Sequence, residues 1–240
     1  MGKLEIGKNG LLKSSCTIEQ KFEHFTKYVR RQRIARFLAC YEIFKLQMHI
    51  KGSIVECGVH QGNGVMTWAK ISSTLEPYNY QRKIIGFDTF AGFPAIQDAD
   101  LSTNPNAHEG FFNEDYDVYE EMKLVIKEYD CNRFINQISK IELVKGDANK
   151  TIPEYLKKNH HTLVSLLFLD FDIYQPTITA LEHFLPRMSK GSILAFDELN
   201  NPDWPGETQA VLEKFDLNKY PLKCFEFEPN ISYIEIGGDK

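Results

Sequence analysis

The chain has 240 residues, 42% of them hydrophobic and 25% charged, with 33 acidic against 28 basic side chains. That length is ample for one large α/β domain with a buried core, and the composition excludes disordered and fibrous classes. A formal net charge of -5 at pH 7 argues against broad nucleic-acid binding, which needs a surplus of Lys and Arg to meet phosphates.

In chain order, residues 1–10 read as a disordered lead. Met1 to Ser15 lacks the apolar core of a secretory signal, and Ile6 stands where myristoylation of Gly2 favours Ser or Thr. Thr17-Ile18-Glu19-Gln20 has the form of a capping box. Ile18, Phe22, Phe25 and Val29, continued by Ile34, Phe37, Leu38, Tyr41 and Phe44, follow at helical spacing. The five Lys and Arg from Lys27 to Arg36 read as a solvated helix face, with a phosphate or membrane site as the alternative.

From Lys51 strands alternate with helices. Ser53 to Val59 is a strand ending in glycines, followed by a helix carrying Val65, Met66, Trp68, Ala69 and Ile71. Lys83 to Phe87 is a second strand, stopped at Asp88. Residues 94–116 have no period and many Asp, Asn and Pro; a loop of that length in a compact domain points to function. A helix with Tyr119, Met122, Val125, Ile126 and Tyr129 on one face comes next. Ile141 to Lys145 and Val164 to Leu169 are strands, and a helix starting near Pro176 ends before Gly191. Ser192 to Phe196 is a strand stopped at Asp197. Lys223 to Phe227 and Ser232 to Ile236 form a closing hairpin turning at Glu228-Pro229-Asn230-Ile231.

The predicted architecture is a helical extension over residues 1–50 and one α/β domain over 51–240. Its seven-stranded sheet is mostly parallel, with the last hairpin antiparallel and ligands at the carboxyl ends of the strands. The densest apolar run, Leu163 to Leu169, is strand-sized and far short of a membrane span. Five scattered cysteines, Cys16, Cys40, Cys57, Cys131 and Cys224, contain no C-x-x-C pair. They read as separate reduced thiols in a cytoplasmic protein.

The strand ends carry the chemistry. Glu56, Asp88, Asp147, Asp170 and Asp197 each close a strand. Carboxylates crowded at one sheet edge repel one another, so something cationic belongs among them. After the first strand comes Glu56-x-Gly58-x-x-x-Gly62-x-Gly64, a turn whose glycines let backbone approach a ligand closely. Glycine-rich turns serve several nucleotides, but Glu56 would repel a pyrophosphate and attract a sulfonium or ammonium group. Asp88 is placed to accept ribose hydroxyls. A ribose with a cationic head describes S-adenosylmethionine better than a nicotinamide dinucleotide. Tyr119-x-x-x-Lys123 has the spacing of a short-chain dehydrogenase pair, yet it precedes the third strand instead of following the fifth. Asp170, Asp197 and Glu198 form an all-oxygen set suited to a hard divalent cation, Mg²⁺ before Mn²⁺ or Ca²⁺. Asp172, uncoordinated, would serve as a general base.

The blocks Glu56-Cys57-Gly58-Val59-x-x-Gly62, Phe87-Asp88-Thr89-Phe90-x-Gly92-Phe93-Pro94, Leu169-Asp170-x-Asp172-x-Tyr174, Asp197-Glu198 and Pro205-Gly206-Glu207 resemble the macrocin O-methyltransferase (TylF/MycF-type) family. The resemblance runs from about Lys27 to Phe215. It implies a class I methyltransferase Rossmann-like fold, S-adenosylmethionine as methyl donor, Mg²⁺ dependence and a sugar hydroxyl as acceptor. Carried over by position, Asp170, Asp197 and Glu198 hold the metal and Asp172 is the base. Glu56, Gly58, Asp88 and Asp147 hold the cofactor, with Cys57, Gly62, Thr89, Ala148 and Asp170 beside them. A homo-oligomer is expected. The chain departs from the family's pattern at Glu198, where a second Asp is usual, and at His60-Gln61-Gly62-Asn63, where Trp-Arg-Gly-Gly is common.

Two other functions stay open at this stage. One is methylation of a catechol-like diol, since a metal reads two neighbouring oxygens and not the ring behind them. The other is a non-catalytic S-adenosylmethionine-binding module. His60 in the glycine loop, His108 in the long loop and Trp204 are candidate acceptor contacts.

Overall fold

The computed structural model describes residues 8–237; the expectations for residues 1–7 and for Gly2 lie outside them. Five parallel strands build the centre of the sheet: β1 (Ser53–Cys57), β2 (Ile84–Asp88), β3 (Ile141–Lys145), β4 (Val164–Leu169) and β5 (Met188–Phe196). Two antiparallel strands, β6 (Lys223–Phe225) and β7 (Glu228–Glu235), extend it past β5. The order across the seven-stranded sheet is β3-β2-β1-β4-β5-β7-β6. The central β4 is buried at every position, as a strand covered on both faces must be. Strand order reverses between β1 and β4, so the chains leaving these neighbours diverge and open a crevice at their carboxyl ends.

Helices α3 (Arg31–Gln47), α4 (Asn63–Leu75) and α5 (Val118–Cys131) cover one face. Ala39, Phe44, Trp68 and Met122 pack there on Ile54, Leu166 and Phe168. Helices α6 (Ala148–Lys158), α7 (Tyr174–Phe184) and α8 (Pro205–Lys214) cover the other, bringing Ile152, Leu181, Phe184 and Val211 onto Val55, Phe87 and Leu167. Residues 31–47 therefore share a core with the sheet.

The predicted capping box is present: Gln20 N donates to Thr17 Oγ1 (3.2 Å) and Thr17 N to Gln20 Oε1 (3.0 Å). The helix it opens, α2 (Ile18–Glu23), is short, and a further helix, α1 (Lys8–Leu12), stands where a disordered lead was expected. The apolar stripe predicted along residues 18–44 does not form one buried face. Ile18, Phe22, Phe25, Phe37 and Leu38 are exposed, and α3 instead buries Ala35, Ala39, Cys40, Ile43, Phe44 and Gln47. Ala35, Ala39 and Cys40 let α3 lie close to the sheet with Ile43 and Phe44 inside, which leaves Phe37 and Leu38 on its outer side.

Three boundaries differ from the reading. Helix α7 stops at Phe184, and β5 begins at Met188, with Gly191 inside the strand at φ 86°. Strand β7 starts at Glu228, so the hairpin turns at 226–227. Helix α6 had no distinct signal because Pro153 interrupts it and its first turn is polar; Asp147 caps it by accepting from Asn149 N (3.0 Å).

Candidate active site

One cavity of about 290 Å³ lies over the crevice at the carboxyl ends of the parallel strands. Gly58 follows β1 at φ 96°, where a Cβ would stand 1.9 Å from the Asp170 carbonyl oxygen. Only glycine allows the ends of β1 and β4 to approach this closely. Gly62, at φ 83°, leaves space filled by the Met122 Sδ of α5. The glycine-rich turn is thus dictated partly by packing.

Asp88 stitches this edge together. Its Oδ2 accepts from Val59 N (2.7 Å) and His60 N (2.9 Å), and its Oδ1 from Phe90 N (2.6 Å). Glu56 turns away from the cavity, beneath the start of α4, and accepts from Val65 N at 3.0 Å. Burial pushes its carboxyl up to about 8 against the pull of Arg36, the Trp68 indole and the Val65 N–H.

The acidic half of the cavity is built by β4 and β5. Arg36, from the second turn of α3, spans their ends: Nη2 donates to Asp170 Oδ2 (3.0 Å) and Nη1 to Asp197 Oδ1. Its guanidinium also lies over the Phe168 ring, 5.7 Å from the centroid. Burial works against the charge of Arg36, but Asp197 and Asp170 overcome it and raise the guanidinium above its ordinary value. Asp172 is buried at φ 64°, a left-handed conformation that Asp tolerates better than bulkier residues and that is often found at functional sites. Burial pushes the Asp170 and Asp172 carboxyls well above the usual range. The Asp197 charge adds to this at Asp170, and Glu198 followed by Asp197 at Asp172, while Arg36 pulls both back. Glu198 is raised chiefly by burial and accepts from Asn201 Nδ2. Behind them Glu207 of α8 is fully buried, and burial, with Asp172 and Asp197 nearby, holds its carboxyl well above the usual range.

Residues 94–116 form a lid fixed at both sides. Glu114 Oε1 accepts from Gln61 Nε2 (2.6 Å) and His60 Nε2 (2.9 Å) on the glycine-rich turn. On the far side the buried Asp100 accepts from Tyr174 N (2.6 Å), and Ser102 Oγ donates to the Asp203 carbonyl (2.9 Å). Between these anchors an aromatic cluster roofs the cavity. Phe93 meets Phe112 (5.3 Å) and Trp204 (5.5 Å), and His60 meets Phe112 (5.1 Å).

Gly58, Asp88, Thr89, Ala148, Asp170, Asp172, Asp197 and Glu198 all line this cavity. Glu56, Cys57, Gly62 and Asp147 do not; the Cys57 side chain is core, and Asp147 serves as a helix cap. His60 and Trp204 face the cavity, whereas His108 bonds the Glu109 carbonyl and packs on Phe111. Tyr119 and Lys123 stay outside it, Lys123 pairing with Glu120. The residues that sequence reasoning missed are Arg36 and Arg33, both on the cavity wall. Their signal was the basic run read as a solvated face. Arg36 is three residues beyond Arg33, so a helix aims both the same way.

The expected cation among the carboxylates is, in the protein itself, a guanidinium. The oxygen donors suit a hard divalent ion chemically, and the buried acids outnumber the single arginine that offsets them. With Arg36 in place, no three His, Cys, Asp or Glu groups among the described residues converge on a point where one ion could sit. An ion shared by Asp170 and Asp197 would need Arg36, which pairs with both, to turn aside.

Residues 23–216 match the family described as Macrocin-O-methyltransferase (TylF). The mycinamicin III 3''-O-methyltransferase of Micromonospora griseorubida is 24% identical over 199 residues, covering 79% of this chain and 74% of that protein. The crystal structure of CalS11, calicheamicin methyltransferase, superposes with a TM-score of 0.91 at 34% identity, covering 95% of this chain and 89% of that one. An apo structure of CalS11, described as a TDP-rhamnose 3'-O-methyltransferase, gives 0.83 at 31% identity over 96% and 92%.

Proposed function

The chain belongs to the macrocin O-methyltransferase (TylF) family, and from that premise we propose that it moves the methyl group of S-adenosylmethionine onto a hydroxyl of a sugar-containing acceptor. The observation that supports this reading is one cavity lined by both the glycine-rich turn and the carboxylates at the strand ends. Gly58, Asp88 and Ala148 lie on one wall, and Asp170, Asp172 and Asp197 on the other. The donor's ribose and adenine lie on the β1–β2 side, against the backbone after Gly58 and beside Asp88. Glu56 acts there through the loop it caps, and Gly62, Thr89, Cys57 and Asp147 hold the local backbone.

In the transfer the carbon–sulfur bond of the sulfonium breaks as the carbon–oxygen bond forms. The acceptor's hydroxyl proton passes to Asp172 Oδ, leaving S-adenosylhomocysteine and the methyl ether. A carboxylate with a raised pKa is the stronger base for this step. The lid and its aromatic roof exclude water and hold oxygen and methyl in line, a placement that can supply roughly 7–11 kcal/mol of the barrier. Magnesium would be held by Asp170, Asp197 and Glu198, and would supply Lewis acidity to the acceptor oxygens. Exposed Ile18, Phe22, Phe25, Phe37 and Leu38 support a homo-oligomer, because apolar patches of that kind mark interfaces. Five free cysteines fit a cytoplasmic location, and no helix among the described residues is long and apolar enough to cross a membrane.

The test is incubation with methyl-labelled S-adenosylmethionine and a panel of nucleotide sugars, glycosylated metabolites and catechols. Label entering a sugar ether supports the reading; label entering catechols alone overturns the acceptor assignment. Full activity after EDTA treatment and dialysis removes magnesium from it.

A further inference from the structure

Arg82 and Arg36 are both largely buried, and they are built differently. Arg82 donates to Gln47 Oε1, Ser165 Oγ and the carbonyls of Met48, Ile50 and Gly52, and pairs with Glu76, at 4% exposure. Such a guanidinium cannot leave without orphaning a whole corner of the fold. Arg36 has two carboxylate partners among the described residues, an aromatic ring beneath it, and 22% exposure on the cavity wall.

We propose that Arg36 is a removable counter-ion: its guanidinium occupies the place between Asp170 and Asp197 that a divalent cation needs, and the two exclude each other. The inference rests on the reading of these carboxylates as ion ligands, and adds that the unloaded site carries its own cation. Two arguments support exclusion. An ion ligated at about 2.0–2.1 Å by oxygens of both residues would have to share the gap with a guanidinium already bonded to both. A divalent charge beside a retained guanidinium would also repel it, most strongly where water is sparse.

Departure is feasible on the same geometry. Arg36 sits near the start of α3, and the exposed Arg33, one turn earlier, lines the same cavity and marks its open side. Ion loading therefore releases the α3 side chain that ties residues 31–47 to the ends of β4 and β5. Without the ion, Arg36 keeps two buried carboxylates from facing each other unscreened. Apparent ion affinity is lowered by the fraction of molecules in which Arg36 is docked.

The experiment titrates Mn²⁺ alone, followed by calorimetry, into the full-length wild type, R36Q and R36K, with neither methyl donor nor acceptor present. R36Q is expected to bind Mn²⁺ roughly tenfold more tightly than wild type, and R36K to fall between. Wild-type binding with no gain in R36Q overturns the inference and leaves the ion assignment standing. No binding by any form overturns both. Because R36Q leaves buried carboxylates unpaired and could fold poorly, a second measurement uses wild type only. With ¹⁵N-labelled arginine, the Arg36 Nη signals are expected to collapse toward those of a free guanidinium as Mg²⁺ saturates the protein. Nη signals unchanged by bound Mg²⁺ overturn the inference.

Discussion

Gly58→Ala separates two reasons for a glycine after β1. Were the residue needed only for ligand approach, alanine would weaken methyl-donor binding and leave the fold intact. The structure predicts otherwise, because a Cβ there lies 1.9 Å from Asp170 O and 2.5 Å from Asp170 C, both backbone atoms that cannot rotate away. The φ of 96° adds conformational strain. Strain at a non-glycine residue costs roughly 1–3 kcal/mol, and overpacking costs roughly another 1–3 kcal/mol. For a chain of this length about 2–4 °C is lost per kcal/mol, so the melting temperature should fall by roughly 5–20 °C. Asp170 sits on the displaced backbone, so Mn²⁺ binding should weaken together with stability. Differential scanning calorimetry and Mn²⁺ titration of the two proteins decide the matter. A variant with wild-type melting temperature and ion binding, defective only toward S-adenosylmethionine, would refute the packing argument.

Asp172→Asn should lower kcat by roughly 10²–10⁴ with S-adenosylmethionine affinity retained; an active variant would remove Asp172 as the base. Asp170→Asn should abolish turnover while sparing methyl-donor binding by calorimetry, and loss of both would place Asp170 in the donor site alone. Glu56 is raised from 4.5 to about 8 in the folded protein, so the folded state keeps a proton that the unfolded chain loses. Stability contributed by that proton should decline as pH rises between those values. Glu56→Gln should flatten this part of the pH–stability curve, and an unchanged curve would contradict the burial of an ionisable group there. Light scattering should report an oligomer, and a strictly monomeric protein at micromolar concentration would leave the exposed apolar side chains of the N-terminal helices without their assigned partner.

The central fold was legible because its signals are local. The run Val164 to Leu169 ends at Asp170 and is apolar but for Ser165, and a parallel strand covered on both faces needs no partner to be recognised. The acids at the strand ends were legible for the same reason. What escaped needed tertiary knowledge. Arg36 belongs to a basic run that reads as one solvated face, and only the docking of α3 through Ala35, Ala39 and Ile43 turns it, and Arg33 one turn earlier, toward the cavity. Glu56 looked like a ligand group from its place before the glycines, yet α4 starts directly above it and takes its carboxyl as a cap. The stripe of Ile18, Phe22 and Phe25 has helical spacing with no surface among the described residues to cover it. Periodicity reports an apolar face, not what lies opposite.

The lid's two anchorages carry a consequence for timing. Glu114 is fastened to the glycine-rich turn, while Asp100 and Ser102 are fastened at the starts of α7 and α8 on the far side of the cavity. A segment pinned to both banks of the crevice behaves as a strut: it sets the span which, on the proposed function, the methyl group would cross. Shortening or lengthening residues 103–113 between those anchors should change the rate of transfer more than the affinity for either reactant. On the proposed function, undoing one anchorage would open the cavity to the acceptor. Swapping the His60–Glu114 contact for a weaker one should then speed entry and exit while loosening the span.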